Sequence, residues 1–304
     1  MTLGDRRNGG HDAHLPLGSI QKIVHDRVAG SRRRLTFKDL ERLIALREGL
    51  PKTLVRAAIR GLIEAGILEY RYTFGQSYLE LSFRNPVDVS DVFTIVPPGY
   101  TGKIPPHRLP IAIAPGVSFG SGRHPTSRLS LQALETTWAY RTSHDMAAVQ
   151  SVLDIGTGSG ILAIAASRLG ASTINALDID ACALSEARLN IGLNPGAEGI
   201  RVSDRPLSSF NGRFDLVIAN LRLPTLVALS GWVASHLEPS GCFVVSGFTD
   251  EEQDRLITCY ADRGFQSLWQ KEVAGWCSAI FGVTAYPPSI MGDPSAPADL
   301  SFRL

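Results

Sequence analysis

Apolar residues recur at helical spacing through the first third of the chain. Ile20, Ile23, Val24 and Val28 form one set, Leu40, Leu43 and Ile44 a second, and Leu54, Val55, Ala58, Ile59, Leu62 and Ile63 a third. Each set marks one face of an amphipathic helix. Pro51 suits the first turn of the third helix and Gly66 its stop. The period then shortens: LEYRYTF and SYLELSF alternate on either side of Gly75-Gln76 and predict a two-stranded hairpin. Three helices and a ribbon over residues 18–85 make a winged-helix-like pattern. Pro86, Pro97, Pro98, Pro105, Pro106 and Pro110 follow and predict an extended connector over residues 86–110.

Beyond the prolines, the strand-like runs SVLDI, TINALDI, GIRVS, FDLVIAN and CFVVSGF alternate with the helical SGILAIAASRLG and DACALSEARLNIGL. That alternation predicts an α/β fold, a doubly wound, Rossmann-like parallel sheet over residues 111–286. Residues 1–17 are polar and glycine-rich, and residues 287–304 hold four prolines in eighteen positions; both ends read as disordered.

Composition narrows the classes. A chain of 304 residues, 44% hydrophobic and 19% charged, is neither a fibrous repeat nor a disulfide-rich miniprotein. Its formal charge of +1 is a cancellation. Residues 1–85 hold 15 Lys/Arg and 9 Asp/Glu, a net of +6, whereas residues 86–304 hold 15 and 20, a net of −5. The question of a charged partner therefore falls on the smaller domain. Cys182, Cys242, Cys259 and Cys277 form no CxxC pair, so no metal site is expected. No run approaches the ~18 apolar residues of a membrane span, and the N-terminus lacks an apolar signal core. A soluble cytoplasmic protein without a membrane partner is expected.

The chemistry concentrates in VLDIGTGSG, residues 152–160, where a buried strand enters a glycine-rich turn and then a helix. Glycines let the backbone approach a ligand, and Asp154 adds an acceptor beside the turn. Ile161 stands where a dinucleotide fingerprint needs its third glycine. The second strand ends at Asp178, twenty-two residues after Gly156, where a carboxylate can accept both hydroxyls of a ribose. A nucleoside-type ligand follows, and S-adenosylmethionine fits because nothing in the turn favours a pyrophosphate. Upstream, APGVSFGSGRHPTSR leads into a helix that Thr126 or Ser127 can cap. Downstream, FDLVIAN ends at Asn220 on the carboxyl side of the sheet. His124 reads either as an acid/base group or as a structural hydrogen-bonder. Asn220 reads as the residue that positions an acceptor or as a strand-end asparagine that satisfies a turn. His236 reads as a helix-end histidine. Trp276 and Cys277 read as packing in the last strand, with Trp276 alternatively lining an acceptor pocket.

The segment IAPGVSFGSGRHPTSRLSLQALE, with LDIGTGSGILAIAASRLGA, LDIDACALSEARLN, FDLVIANL, VVSGF and GWCSAIF, resembles the ribosomal protein L11 methyltransferases, the PrmA family. The likeness covers about residues 110 to 285. It implies a class I methyltransferase fold, S-adenosylmethionine as cofactor, and cofactor contacts from Ser127, Gly156, Asp178 and Asn220. The family usually has threonine where this chain has Ser127, and isoleucine-leucine where it has Leu221-Arg222. The family also carries a small α+β domain where this chain carries the winged-helix pattern and Arg32-Arg33-Arg34.

The candidate cofactor-binding set is Phe119, Gly122, Thr126, Ser127, Asp154, Gly156, Thr157, Gly158, Asp178, Ile179 and Asn220; the candidate catalytic residues are Asn220 and His124. N-methylation of a lysine or N-terminal amine of a protein, such as a ribosomal protein, is the expected reaction. The alternatives are a small-molecule methyltransferase and a non-catalytic ligand sensor. The first domain is open to three roles: nucleic-acid binding through Lys52, Arg56 and Arg60, homodimer formation, or substrate capture.

Overall fold

The computed structural model describes residues 15–283 apart from Arg32, Phe74 and Phe83. The tail at 287–304, most of the N-terminal stretch 1–17 and Arg32 of the arginine triplet lie outside the described residues. The chain divides into two compact units, Met1–Ser82 and Phe83–Leu304.

The first unit contains α1 (Leu17–Ala29), α2 (Phe37–Arg47), α3 (Lys52–Glu64) and the antiparallel strands β1 (Leu68–Thr73) and β2 (Gln76–Leu81). Thr36 and Asp39 cap α2 reciprocally, the Thr36 hydroxyl accepting the Asp39 amide and the Asp39 carboxylate accepting the Thr36 amide. Pro51 is the residue before α3 rather than its first member. At the other end of α3, the Gly66 amide donates to the Ile63 carbonyl and the Ile67 amide to Leu62, which closes the helix. Ile20, Val24, Leu40, Ile44, Val55 and Ile59 are essentially inaccessible and form the core of this unit. Leu35 adds an isolated bridge to Leu79 beside the hairpin.

Residues 86–110 are not the extended connector that their prolines suggested. They contribute β3 (Val87–Asp88), β4 (Phe93–Val96) and the first half of β5 (Leu109–Ala112), which form a three-stranded sheet in the order β3-β4-β5 within the second unit. Val92, Phe93 and Ile95 are buried in the main core of that unit, and burial of such side chains contributes ~1.5–3 kcal/mol each. Pro110 is tolerated because β5 is an edge strand.

The remaining elements alternate. They are α4 (Pro125–Ser143), β6 (Ser151–Ile155), α5 (Ile161–Arg168), β7 (Thr173–Leu177), α6 (Ala181–Gly192), β8 (Ile200–Ser203), β9 (Phe214–Asn220), α7 (Leu223–His236), β10 (Leu237–Thr249), α8 (Gln253–Ala261), β11 (Phe265–Val273) and β12 (Trp276–Val283). The seven strands from β6 onward form one sheet in the order β11-β12-β10-β9-β6-β7-β8. Five of them, from β8 to β10 across the sheet, run parallel, while β12 is antiparallel to both neighbours. Apolar clusters cover both faces, which accounts for the continuous apolar runs in β6 and β9. Among the described residues no helix is long and apolar enough to cross a membrane.

Candidate functional site

Strand order reverses at β6, with β7 and β8 on one side and β9 and β10 on the other. Such a reversal opens a crevice at the carboxyl ends of the central strands. Ile155, Leu177 and Asn220 end the three strands there.

The glycine turn begins at Gly156. The amides of Gly156 and Thr157 both donate to the Leu177 carbonyl at 2.8 Å, which ties the turn to β7. The Asp178 carboxylate accepts the Gly158 amide at 2.9 Å on one oxygen and the Asp180 amide at 3.0 Å on the other. Two of its roughly four acceptor positions are thus used and the rest stay open, as a vicinal diol requires. A Cβ at Gly158 (φ +54°) would lie 2.4 Å from the Phe119 carbonyl oxygen, and one at Gly156 (φ +75°) would lie 2.5 Å from a Leu221 methyl. Only glycine allows these approaches. Ile179, fully exposed, follows Asp178.

Asp154 acts beneath the turn, not on its open face. It is completely buried and accepts the Thr157 hydroxyl at 2.6 Å. Desolvation raises its pKa to about 7, against the lowering effect of that hydrogen bond. Gly122 is also withdrawn: it is buried, and a Cβ there would meet Ile95 at 3.2 Å.

The loop from Ala114 to His124 is fastened over the turn. Ser159 donates its amide to Phe119 at 2.9 Å and its hydroxyl to the Gly120 carbonyl at 2.7 Å. One side of α6 and the residue two beyond its end hold the loop from behind. Glu186 accepts the amides of Val117 and Ser118 at 2.8 and 3.1 Å. Asn190 accepts the Ala114 amide and donates to the Ser159 carbonyl, and Asn194 brackets the amide and carbonyl of Ala112. The i, i+4, i+8 spacing of Glu186, Asn190 and Asn194 was the only signal of this role in the sequence. Val117 and Phe119 remain exposed at 88% and 51%.

Neither Thr126 nor Ser127 caps α4. His124 does: its Nδ1 accepts the Thr126 amide at 3.3 Å, with the Thr126 hydroxyl 2.8 Å from the same nitrogen. The neutral ring therefore carries its hydrogen on Nε2. Burial, with the Arg222 charge adding to it, lowers the His124 pKa to about 4. An imidazole that stays neutral throughout the physiological range caps a helix well and shuttles protons poorly.

His124 also belongs to an aromatic group. Its ring centroid lies 5.2 Å from that of Phe119 and 4.9 Å, edge to face, from that of Trp276. Arg222, just past β9, places its guanidinium carbon 5.2 Å from the Trp276 centroid. The sequence marked Leu221-Arg222 as a departure but gave no sign of this stacking. The buried Ser127 hydroxyl, Asn220 Oδ1 and Trp276 Nε1 have no hydrogen-bond partner among the described residues. Buried polar atoms left open cost free energy unless a ligand or water meets them.

Other singled-out residues fall elsewhere. His236 ends α7, stacked on Trp232 and bonded to the Trp232 and Phe210 carbonyls. Cys277 is a buried core residue. In the first unit, Arg56 donates two hydrogen bonds to Glu41 at 3.1 Å each, which leaves the expected cationic row of Lys52, Arg56 and Arg60 partly neutralised. Among the described residues no group of three or more His, Cys, Asp and Glu side chains is arranged to hold a metal.

Known proteins are similar to this chain in sequence and in fold. A ribosomal protein L11 methyltransferase from Limosilactobacillus reuteri is 35% identical over 210 residues, covering 68% of this chain and 62% of the relative. The corresponding Geotalea daltonii protein is 34% identical over 201 residues, covering 64% of each. The chain thus matches less than two thirds of the length of these two relatives. The crystal structure of the ribosomal protein L11 methylase of Lactobacillus delbrueckii superposes with a TM-score of 0.58 at 29% identity, covering 66% of this chain and 98% of that one. The profile described as ribosomal protein L11 methyltransferase (PrmA) matches residues 80–283, two thirds of the sequence, and the chain belongs to that family.

Proposed function

We propose that this protein is an S-adenosylmethionine-dependent methyltransferase whose acceptor is an amine of a protein, with a ribosomal protein of the L11 kind as the first candidate. The observation that carries this reading is the juxtaposition at the ends of β6, β7 and β9. There the glycine turn after β6 lies between the half-used Asp178 carboxylate after β7 and the unpartnered Asn220 oxygen at the end of β9.

The residues fit the cofactor. Gly156 and Gly158 let the turn pack closely under Leu221 and Phe119, Asp178 has acceptor positions for a ribose diol, and exposed Ile179 offers an apolar face to a base. The Ser127 hydroxyl supplies a further open polar atom. When bound, S-adenosylmethionine supplies an electrophilic methyl on a sulfonium. This chain's own contribution is alignment and exclusion of water. Asn220 Oδ1 accepts an N–H of the incoming amine and so aims its lone pair. Trp276 forms an apolar wall with a donor at its edge. His124 holds the start of α4 and takes no proton near neutrality. Gly122, Thr126, Asp154 and Thr157 shape the loop and turn without touching the ligand.

The first unit is read as a winged-helix-like module that delivers the acceptor. Its net positive charge and its place outside most of the family match support a role in acceptor choice, not in cofactor binding.

Calorimetric titration with S-adenosylhomocysteine and transfer of labelled methyl into a fractionated lysate test the proposal together. Asp178→Ala is expected to weaken nucleoside binding at least tenfold, on the scale of a lost charge-assisted hydrogen-bond pair. Asn220→Ala should leave that binding within about threefold and lower kcat by roughly 100-fold, the scale of a lost alignment. Label recovered only in solvent-extractable small molecules would refute the protein acceptor.

A further inference from the structure

The end of β9 carries a charge that its surroundings do not balance. The Arg222 side chain is exposed and makes no salt bridge or hydrogen bond among the described residues; its guanidinium stacks on Trp276, 5.2 Å from guanidinium carbon to ring centroid. It is also the residue before α7, yet its side chain does no capping. Trp276 in turn lies edge-on to His124 at 4.9 Å, and its buried Nε1 has no partner among the described residues. A guanidinium on an indole face keeps its charge and its fork of donors while losing orientational freedom. Such a group is preorganised for a carboxylate, which it can take in two parallel hydrogen bonds.

Asn220 is only two residues away, a span of at most roughly 7 Å of chain. We propose that Arg222 is a specificity-determining residue, selecting acceptor amines that carry a carboxylate close to the target nitrogen. The proposal rests on the methyl-transfer reading above. Two sources present this chemistry: an Asp or Glu side chain flanking the target amine in a peptide, or the α-carboxylate of a free amino acid. The same charge disfavours an ammonium beside it, so the amine enters in the neutral form that attack requires. Its effect on a neighbouring base is already visible at His124, where it adds to burial in keeping the ring unprotonated.

The test uses the full-length chain saturated with S-adenosylhomocysteine and reads acceptor affinity by calorimetry. One arm compares two peptides that differ only in a Glu or Gln beside the target lysine. The other compares free lysine with lysine amide. At least one arm should show about fivefold tighter binding of the carboxylate form, the upper range for an exposed ion pair, and the arm that responds identifies the source. R222L should bring that ratio to near one and R222E should invert it, with circular dichroism and S-adenosylhomocysteine affinity confirming that each variant is folded. Ratios near one in both wild-type arms, or a ratio unchanged in R222L, would overturn the proposal while leaving the methyl-transfer reading intact. Failure of S-adenosylhomocysteine to bind the wild-type chain would remove that reading and the proposal with it.

Discussion

His124 shows how one side chain can be placed for chemistry and used for structure. A histidine in a glycine-rich loop beside a ligand site invites an acid/base role, because its ordinary pKa lies near neutrality. Here the ring is packed between Phe119 and Trp276, and its Nδ1 is committed to the first turn of α4. Burial moves the pKa down to about 4. The sign follows directly. Between about 4 and 6.5 the unfolded chain binds more protons at this residue than the folded one, so its contribution to stability rises with pH across that window and is lost on acidification. Catalysis between pH 6 and 9 should be indifferent to its ionisation. A pH profile of kcat for His124→Asn, which keeps a capping oxygen, is expected to have the wild-type shape. His124→Ala should lower the melting temperature through loss of a cap of ~1 kcal/mol. An inflection near neutrality that vanishes in His124→Asn would restore the acid/base role.

At the scale of elements, legibility in the sequence tracks the range of the interaction. The strand, glycine turn and helix of residues 151–168 and the acid at the end of β7 were readable because a few adjacent residues set each of them. The loop fastenings were not, since Glu186 and Asn190 act on residues 68 to 76 positions earlier. The three-stranded sheet was missed for a different reason. Proline density was read as extended chain, whereas Val92, Phe93 and Ile95 bury themselves between the prolines. What pins that sheet is Glu135 of α4, whose buried carboxylate accepts the Ser90 hydroxyl and, at 3.0 Å, the Val92 amide. Desolvation pushes its pKa up to about 7, although the Ser90 and Val92 hydrogen bonds oppose the shift. A folded-state pKa above the ordinary value means that its contribution is full below about 4.5 and fades as pH rises through 7. Glu135→Gln fixes the neutral form. The melting-temperature advantage of wild type over this variant is expected to be largest near pH 5 and to shrink by pH 8. Asp154, shifted in the same direction, stays common to both proteins and cancels in the difference. A difference that is flat across this range would show that the carboxylate is charged when buried.

For the whole molecule, the division of labour follows the division of the chain. The family match starts at residue 80 and the compact units part at Ser82, so the shared portion and the second unit nearly coincide. Each unit has its own apolar core, and every residue assigned to the glycine turn, the loop and the β9 end lies in the second. Cofactor binding should therefore survive removal of the first unit. Acceptor choice should not, if the net charge of +6 over residues 1–85 serves to draw an acidic partner towards a domain that itself carries −5. A chain starting at Phe83 is expected to bind S-adenosylhomocysteine within about twofold of the full-length value, too small a change to signal a lost hydrogen bond. Methyl transfer to protein should fall at least tenfold in kcat/KM, with most of the loss in KM, as befits removal of binding that is uniform along the reaction. Raising the salt from 50 to 300 mM should weaken transfer by the full-length chain far more than transfer by the shortened one, because screening acts on the charge that the first unit carries. Equal salt sensitivity in the two chains would mean that the first unit does not recruit the acceptor by charge.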